Sequence, residues 1–372
     1  MGSIWEGELL PQANDITIIG AGFSGLWMAF FLHRKNPNLS IQLIDKESTP
    51  KGASSRNAGF ACFGSTSELV MNIETMGEEK TLHWALERYR GVRLIKKYFA
   101  EKIQYQNCGG YELFDNEELF GMCIKNLGNL NNFFENFTEA KTTYVVSDES
   151  IQKFNFKDFK HAILNTEEGS INSGLLLKEL YNYLLTNGVK IYRGITFIDH
   201  SVSNSTISIE TSVGEFKTKH LCFATNAFSP KSLNITPGRG QILLTKPIEN
   251  LPFNGTFHVD KGYTYFRNVG NRILIGGGRN IAMTAETTDE YAVTETIQNY
   301  LENLLSERIL PNHKFKIENR WSGIMGFTRT HEPICEVQSP HVSVIAGMNG
   351  MGVALAPRLG QILASEVVKI NL

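Results

Sequence analysis

A β-branched run, Ile16-Thr17-Ile18-Ile19, ends in Gly20-Ala21-Gly22-Phe23-Ser24-Gly25 and passes straight into an apolar, helix-forming segment. Strand, Gly-x-Gly-x-x-Gly turn and helix in that order mark a dinucleotide-binding βαβ unit. Gly20 lets the chain turn tightly, Gly22 lets backbone approach a pyrophosphate with no Cβ in the way, and Gly25 lets helix and strand pack closely. The phosphates then lie at the helix N-terminus. A second strand, Ile41-Gln42-Leu43-Ile44, ends in Asp45, twenty residues beyond Gly25. An acid there accepts hydrogen bonds from an adenosine ribose and repels a 2′-phosphate, which favours an FAD or NAD type of nucleotide over NADP.

A chain of 372 residues buries a large core and is expected to divide into two domains. With a formal net charge of -2 and no strongly basic block, nucleic acid is not the expected partner. Arg88, Arg90, Arg93, Lys96 and Lys97 cluster at helical spacing among acids, the pattern of a solvated helix face. The five cysteines are scattered, with no C-x-x-C pair, so neither a disulfide framework nor a metal site is expected and a reducing, cytoplasmic setting fits. Residues 1 to 15 hold acids and a proline where a secretory leader needs a basic start and an apolar core. The apolar run from Ile16 to Leu32 carries the three turn glycines, Thr17 and Ser24, and reads as strand plus buried helix rather than a membrane span.

The remaining pattern predicts an α/β (α+β two-domain) fold: a Rossmann-like βαβ domain with a second, mainly antiparallel-sheet substrate domain. Lys51 to Phe60 is rich in small and polar residues and reads as an ordered loop. Helical patterns run over 66–100, 117–137 (with Leu127, Leu130, Phe134 and Phe137 as a stripe) and 175–187. Thr206–Glu210 and Glu215–Thr218 read as an antiparallel piece, and His220–Ala227 as a buried strand returning to the nucleotide sheet. Tyr263–Arg267 and Arg272–Ile275 form a hairpin about Val269-Gly270-Asn271. Val342–Gly352 repeats strand, glycine turn and helix. The nucleotide-binding part is therefore expected from 1–65, 150–235 and 335–372, and the substrate part from 66–149 and 236–334.

With these pieces in order the chain resembles the D-amino-acid oxidase family of FAD-dependent oxidoreductases, over nearly its whole length. The resemblance rests on Gly20-x-Gly22-x-x-Gly25 with Asp45, on Ala53-Ser54-Ser55-Arg56-Asn57-Ala58-Gly59, on Pro237-Gly238-Arg239-Gly240-Gln241, on Trp321-Ser322-Gly323 and on Gly347-x-x-Gly350-x-Gly352. The loop at 53–60 looks most like that of γ-glutamylputrescine oxidases. The resemblance implies bound FAD. Expected cofactor residues are Gly20, Gly22, Phe23, Ser24, Gly25, Asp45 and Lys46; Ser54, Ser55, Arg56, Asn57, Ala58, Gly59 and Phe60; Thr225, Asn226 and Ala227; and Gly347, Asn349, Gly350, Met351, Gly352 and Val353. Ser54 to Asn57 would contact the flavin side, and Gly59 with Phe60 would line the isoalloxazine ring. The last glycine turn would aim N–H groups and a helix dipole at the flavin N1/C2 carbonyl, where charge collects on reduction. Sarcosine oxidases attach FAD through a cysteine where Met325 stands here, so the FAD is expected to be noncovalent. Glycine oxidases place a carboxylate-binding arginine near that same segment, and sarcosine oxidases place a lysine near flavin N5 where Leu274 stands.

The expected reaction is oxidation of a C–N bond in an amine or amino acid, by hydride transfer to flavin N5 and imine hydrolysis, with O2 or another acceptor taking the electrons. Such chemistry rests on orientation more than on acid–base help. Arg267, beside Tyr263 and Tyr265, and Arg329 are the candidate clamps for a substrate carboxylate. His258 and His331, the histidines nearest the suspected site, read as structural, and Trp321 as packing under the cofactor or lining the pocket. Competing readings are a flavin-dependent enzyme modifying transfer RNA, a non-catalytic FAD-binding subunit of an oligomeric oxidase, and a flavin reductase using Gly276-Gly277-Gly278 for a second nucleotide.

Overall fold

The structure is a computed structural model and describes residues 5, 7, 9–203 and 206–371. The stretch read above for a leader lies partly outside the described residues. The first strand, Asn14–Ile19, sits inside one sheet, parallel to Ile41–Asp45 on one side and to Gly214–Phe223 on the other. Lys190–Arg193 and Val342–Ala346 extend this parallel array outward, and Ile334–Ser339 closes one edge antiparallel. Both faces of the array are covered, which is why Ile16, Ile18, Leu43, Ile44, Val344 and Ile345 are all buried and the strands read as continuous apolar runs. The helices Phe23–Lys35 and Gly352–Asn371 pack together over one face, with Trp27, Phe30, Leu359 and Leu363 in a shared core.

The second sheet has eight strands, in the order Ile317–Phe327, Thr236–Thr245, Arg272–Gly277, Thr264–Val269, Thr256–Val259, Gly110–Phe114, His161–Asn165 and Tyr144–Val146. All neighbours are antiparallel except Thr256–Val259 with Gly110–Phe114. The α/β class with a mainly antiparallel second sheet is therefore as the sequence predicts, including the hairpin about Gly270, whose φ of 60° suits glycine. Gly276 and Gly277 belong to this sheet, where a Cβ on Gly276 would strike Ile242 and Tyr265. They serve close strand packing and not a second nucleotide.

Several expectations need correction. His161–Asn165 lies in the second sheet, beyond the boundary drawn at 150, because its partner Gly110–Phe114 draws it there. The helix Glu78–Phe99 was placed wholly in the substrate part, but at 22 residues it is long enough to serve both cores. Ala85, Leu86 and Tyr89 pack with Phe63 and Phe134, whereas Val92, Ile95 and Phe99 pack with Trp27 and Phe30. Gly91 lets it approach the last helix so closely that a Cβ would collide with the Ala354 carbonyl. The expected loop at 51–60 contains one helical turn, Ala53–Arg56, closed by Asn57 Nδ2 donating to the carbonyls of Ala53 and Ser54, and then a short strand, Phe60–Ala61. Glu215–Thr218 and His220–Phe223 form one strand, whose start pairs with Thr206–Thr211 and whose end joins the parallel array. Phe137 lies past the helix Glu117–Glu135 and is exposed. No helix among the described residues is long and apolar enough to cross a membrane.

Candidate active site

A cavity of about 710 Å³ opens between the two sheets. Its wall begins at Gly20–Ser24 and Asp45–Glu47, continues along Pro50–Phe60, and is completed by Ala224–Phe228, Arg193–Phe197 and Met348–Ala354. Residues of the second sheet and its connecting turns close the other end: Ile242, His258, Tyr263, Tyr265, Arg279, Met325 and Phe327. The helix Thr66–Met76 adds Glu68, Met71, Asn72 and Thr75, at the i, i+3, i+4, i+7 spacing of one helix face.

The glycine turn is built as the sequence implies. A Cβ at Gly20 would lie 2.5 Å from the Ala224 carbonyl oxygen, and one at Gly25 would collide with the Gly20 carbonyl. Gly25 itself does not line the cavity; it brings helix against strand. Asp45 sits at the strand end, where Oδ2 accepts from the Ala21 amide at 2.9 Å and Oδ1 from the Glu47 amide at 2.9 Å. Ser54 Oγ accepts from the Phe23 amide at 2.8 Å, so the 53–60 segment is fastened to the first helix. Asn226 fastens the far side: its Oδ1 accepts from the amides of Gly347 and Met348 at 3.1 and 3.3 Å. Gly347, with φ of 68°, makes the turn but does not line the cavity. Beyond it, the N-terminal turn of Gly352–Asn371 lines the cavity, an arrangement suited to an anionic or electron-rich group.

The cavity thus brings together every expected cofactor residue except Gly25 and Gly347, whose lack of a side chain shapes the backbone instead. The substrate clamps fare differently. Arg267 is buried behind the wall; its Nη1 donates to the Gly59 carbonyl at 2.9 Å, its Nε has no partner among the described residues, and burial pushes its guanidinium down to about 10. It supports the 57–60 segment from below, because the strand alternation that points Tyr265 into the cavity places Arg267 two residues further on, under the loop. Arg329 is exposed in a turn and does not line the cavity. Tyr265 does, as does Tyr263; burial raises the Tyr265 phenol to about 12, so it stays neutral. Trp321 lies outside the wall and donates Nε1 to the Arg56 carbonyl at 3.0 Å, while Arg56 Nη1 donates to the Ser322 carbonyl at 2.7 Å. Arg239 and Gln241, from the Pro237–Gln241 motif, share the buried carboxylate of Glu286 and hold their strand to the 279–294 crossing.

Other groups at the site are missed by the sequence reading or given another part by it. Arg88, read as part of a solvated face, is buried on the cavity wall and paired with Glu68 at 2.6 Å. His258 lines the cavity and bonds the fully buried Glu168 through Nε2 at 2.7 Å. Arg193 lies at the Asp45 end, donates to the Tyr181 hydroxyl, and leaves Nη1 unpartnered in the buried wall. No local motif announces these, since each pairing joins residues far apart in the chain.

The sequence profile of the FAD-dependent oxidoreductase family (DAO) matches residues 15–366. The chain belongs to that family. A probable oxidoreductase OrdL of Rhizobium meliloti is 25% identical over 372 residues, covering 94% of this chain and 82% of the relative. Among solved structures, L-proline dehydrogenase of P. horikoshii superposes with a TM-score of 0.79 at 20% identity, covering 97% of this chain and 94% of that one. Glycine oxidase of Geobacillus kaustophilus gives 0.78 at 19% identity, covering 96% and 95%. Those two share the family's fold. The chain is an FAD-dependent oxidoreductase, and the glycine turn with Asp45 at its strand end is the fit its cavity offers to the dinucleotide.

Proposed function

We propose that this oxidoreductase removes a hydride from the carbon beside nitrogen in a small amine or amino acid, yielding an imine that water hydrolyses. The observation that carries the reading is the single cavity that joins the dinucleotide-binding turn to a part-polar chamber walled by Phe60, His258, Tyr265 and the helix Thr66–Met76. In this reading Gly20 to Ser24, Asp45 and Lys46 hold the adenosine and pyrophosphate half of FAD. Ser54 to Phe60, Asn226 and Asn349 to Val353 flank its ring half. Bound FAD supplies the hydride acceptor. The chain itself excludes bulk water, presents Tyr265 as a neutral hydroxyl, and orients the substrate, which supplies most of the rate in such chemistry. A substrate carboxylate would meet Lys261 and Arg279 on the wall rather than Arg267 or Arg329. The electron acceptor is O2 or a second carrier; Leu274 is buried against Ala58 and Ile242 and offers no ammonium to the ring.

Noncovalent binding fits the sulfur groups on the wall, which are the thiol of Cys62 and the thioethers of Met71, Met325, Met348 and Met351. Met325 is a thioether that has no S–H to add, and burial, reinforced by the charges of Glu168 and Glu68, raises the Cys62 thiol well above its usual range, keeping it un-ionised. The test is to strip oxygen from the yellow protein and add glycine, sarcosine, L-proline, D-alanine and polyamines in turn. Bleaching of the flavin by one class is expected, and acid precipitation should release all the FAD into the supernatant. A flavin that stays oxidised with every amine would overturn the reading; yellow pellet after acid would overturn noncovalent binding.

A further inference from the structure

His258 and Glu168 form a buried pair, and His258 faces the chamber where the substrate would sit. Glu168 is fully buried; Oε1 accepts from His258 Nε2 and from the Thr256 hydroxyl, each at 2.7 Å, and Oε2 has no partner among the described residues. A buried carboxylate with an unpaired oxygen is costly, and a full positive charge on the neighbouring ring relieves that cost more than a neutral ring does. The pair therefore gains when the imidazole takes up a proton. The carboxylate fixes the tautomer, with hydrogen on Nε2. Nδ1 makes no hydrogen bond among the described residues, the ring lines the cavity, and it lies edge-on to Phe60 with centroids 5.2 Å apart.

We propose that His258 takes the proton from the substrate's ammonium, with Glu168 as the positioning residue behind it. This rests on the amine-oxidation reading above and adds the group that prepares the substrate for it. The N–H bond of the ammonium breaks, an Nδ1–H bond forms, and the electron pair stays on the substrate nitrogen, so nothing is oxidised in the step. The amine becomes neutral, as loss of the adjacent hydride requires. The imidazolium donates from Nε2 to Glu168 and returns its proton to water when product leaves.

The charges that act on the ring are mainly carboxylates. Glu112 stands opposite His258 on the adjacent strand, Glu68 faces it from the helix Thr66–Met76 with Arg88 as counter-ion, and Tyr265, opposite on the other strand, is neutral. Burial alone would push the imidazole down, but the Glu168 charge and hydrogen bond, with Glu112 and Glu68 behind, hold it above its usual value. Cys62, Glu168 and His258 present ligand atoms within 4.8 Å of one another, a grouping that could also hold a metal ion. The direct 2.7 Å contact between Nε2 and Oε1 spends these two atoms on each other, which favours the proton.

The experiment compares holoenzymes of the wild type, His258→Asn and Glu168→Gln, the latter preserving shape. Anaerobic flavin reduction by glycine, sarcosine, L-proline and D-alanine is followed against pH. The wild-type rate should rise with pH through the raised imidazole value, Glu168→Gln should move that rise about one unit lower, and His258→Asn should replace it with the later rise of the free ammonium and slow reduction about a hundredfold at neutral pH. An unmoved rise in FAD-replete variants would overturn the proposal. So would one zinc per wild-type chain that is lost in His258→Asn. A second readout needs no substrate: in ¹⁵N-histidine-labelled holoenzyme, the His258 signal should titrate above the ordinary range and fall back in Glu168→Gln. A signal indifferent to Glu168 would refute the pair on its own. Failure of all four amines to bleach the wild type would remove the amine-oxidation reading, and with it the ammonium step, whatever the resonance shows.

Discussion

Two residues show how burial decides what a side chain is for. Arg267 has the charge and the strand position for a substrate clamp, yet its guanidinium is spent on the Gly59 carbonyl under the cavity floor. Arg267→Met should lower stability by about 1–3 kcal/mol, because the carbonyl loses its partner, and should leave the KM of the bleaching amine within about threefold. A clamp would show a rise of tenfold or more, so steady-state kinetics separates the two. His220, buried in the parallel sheet with Nε2 at 2.9 Å from Ser343 Oγ, is pushed by burial down to about 4. Unfolding restores it to about 6.5, so the unfolded chain binds the extra proton between those values. The neutral ring's contribution is fully present above the unfolded value and is lost as the pH falls towards the folded one, about 3 kcal/mol in all. Denaturant melts of the wild type should weaken with acid across that window, and those of His220→Gln should weaken less.

Among the elements, the helix Thr66–Met76 carries one cavity wall, and its start is set by a residue from another sheet. The buried Glu112 carboxylate accepts from the Thr66 hydroxyl at 2.5 Å, the Ser67 amide at 3.0 Å and the Ser65 and Ser67 hydroxyls, so a negative charge sits on a helix N-terminus. Glu112→Gln should cost about 1–2 kcal/mol and loosen Glu68, Met71 and Asn72, read as a drop in melting temperature together with a raised KM. The stretch was legible as one helical run over 66–100; its break at Gly77, where φ is 88°, and its cap were not, the cap because the carboxylate lies more than forty residues away. The same divide runs through the whole site. Glycine turns, Asp45 and the 53–60 segment announce themselves because the backbone needs those residues locally. His258–Glu168, Arg88–Glu68 and Arg267–Gly59 are made by tertiary packing, and a lone His or Arg in a strand reads alike whether it faces a cavity or a carbonyl. The helix Glu78–Phe99 was visible as a helix, but Gly91, which sets its contact with the last helix, reads in sequence only as a weak helix former.

Across the whole molecule, the chain passes between the two sheets four times, running from the first parallel strands to the second sheet, back, out again and home to Val342–Ala346. Neither sheet is a continuous stretch of sequence, and the cavity is walled by both. Calorimetry should therefore show one unfolding transition for the holoenzyme rather than two. Removing FAD should shift that transition down as a unit, by an amount worth about 3 kcal/mol when free FAD is kept a hundredfold above its Kd. Two separated transitions would mean that each half holds its structure alone.

The order in which the strands are made has its own consequence at the ribosome. Asn14–Ile19 emerges some two hundred residues ahead of its neighbour Gly214–Phe223, and more than three hundred ahead of the glycine turn at 347–352. At about 5–20 residues per second, the apolar face of that first strand waits for ten seconds or more before it is covered. Nascent chains of this protein are thus exposed to holding chaperones until that neighbour is made, and capture of the cofactor waits for the turn at 347–352 that completes the cavity wall.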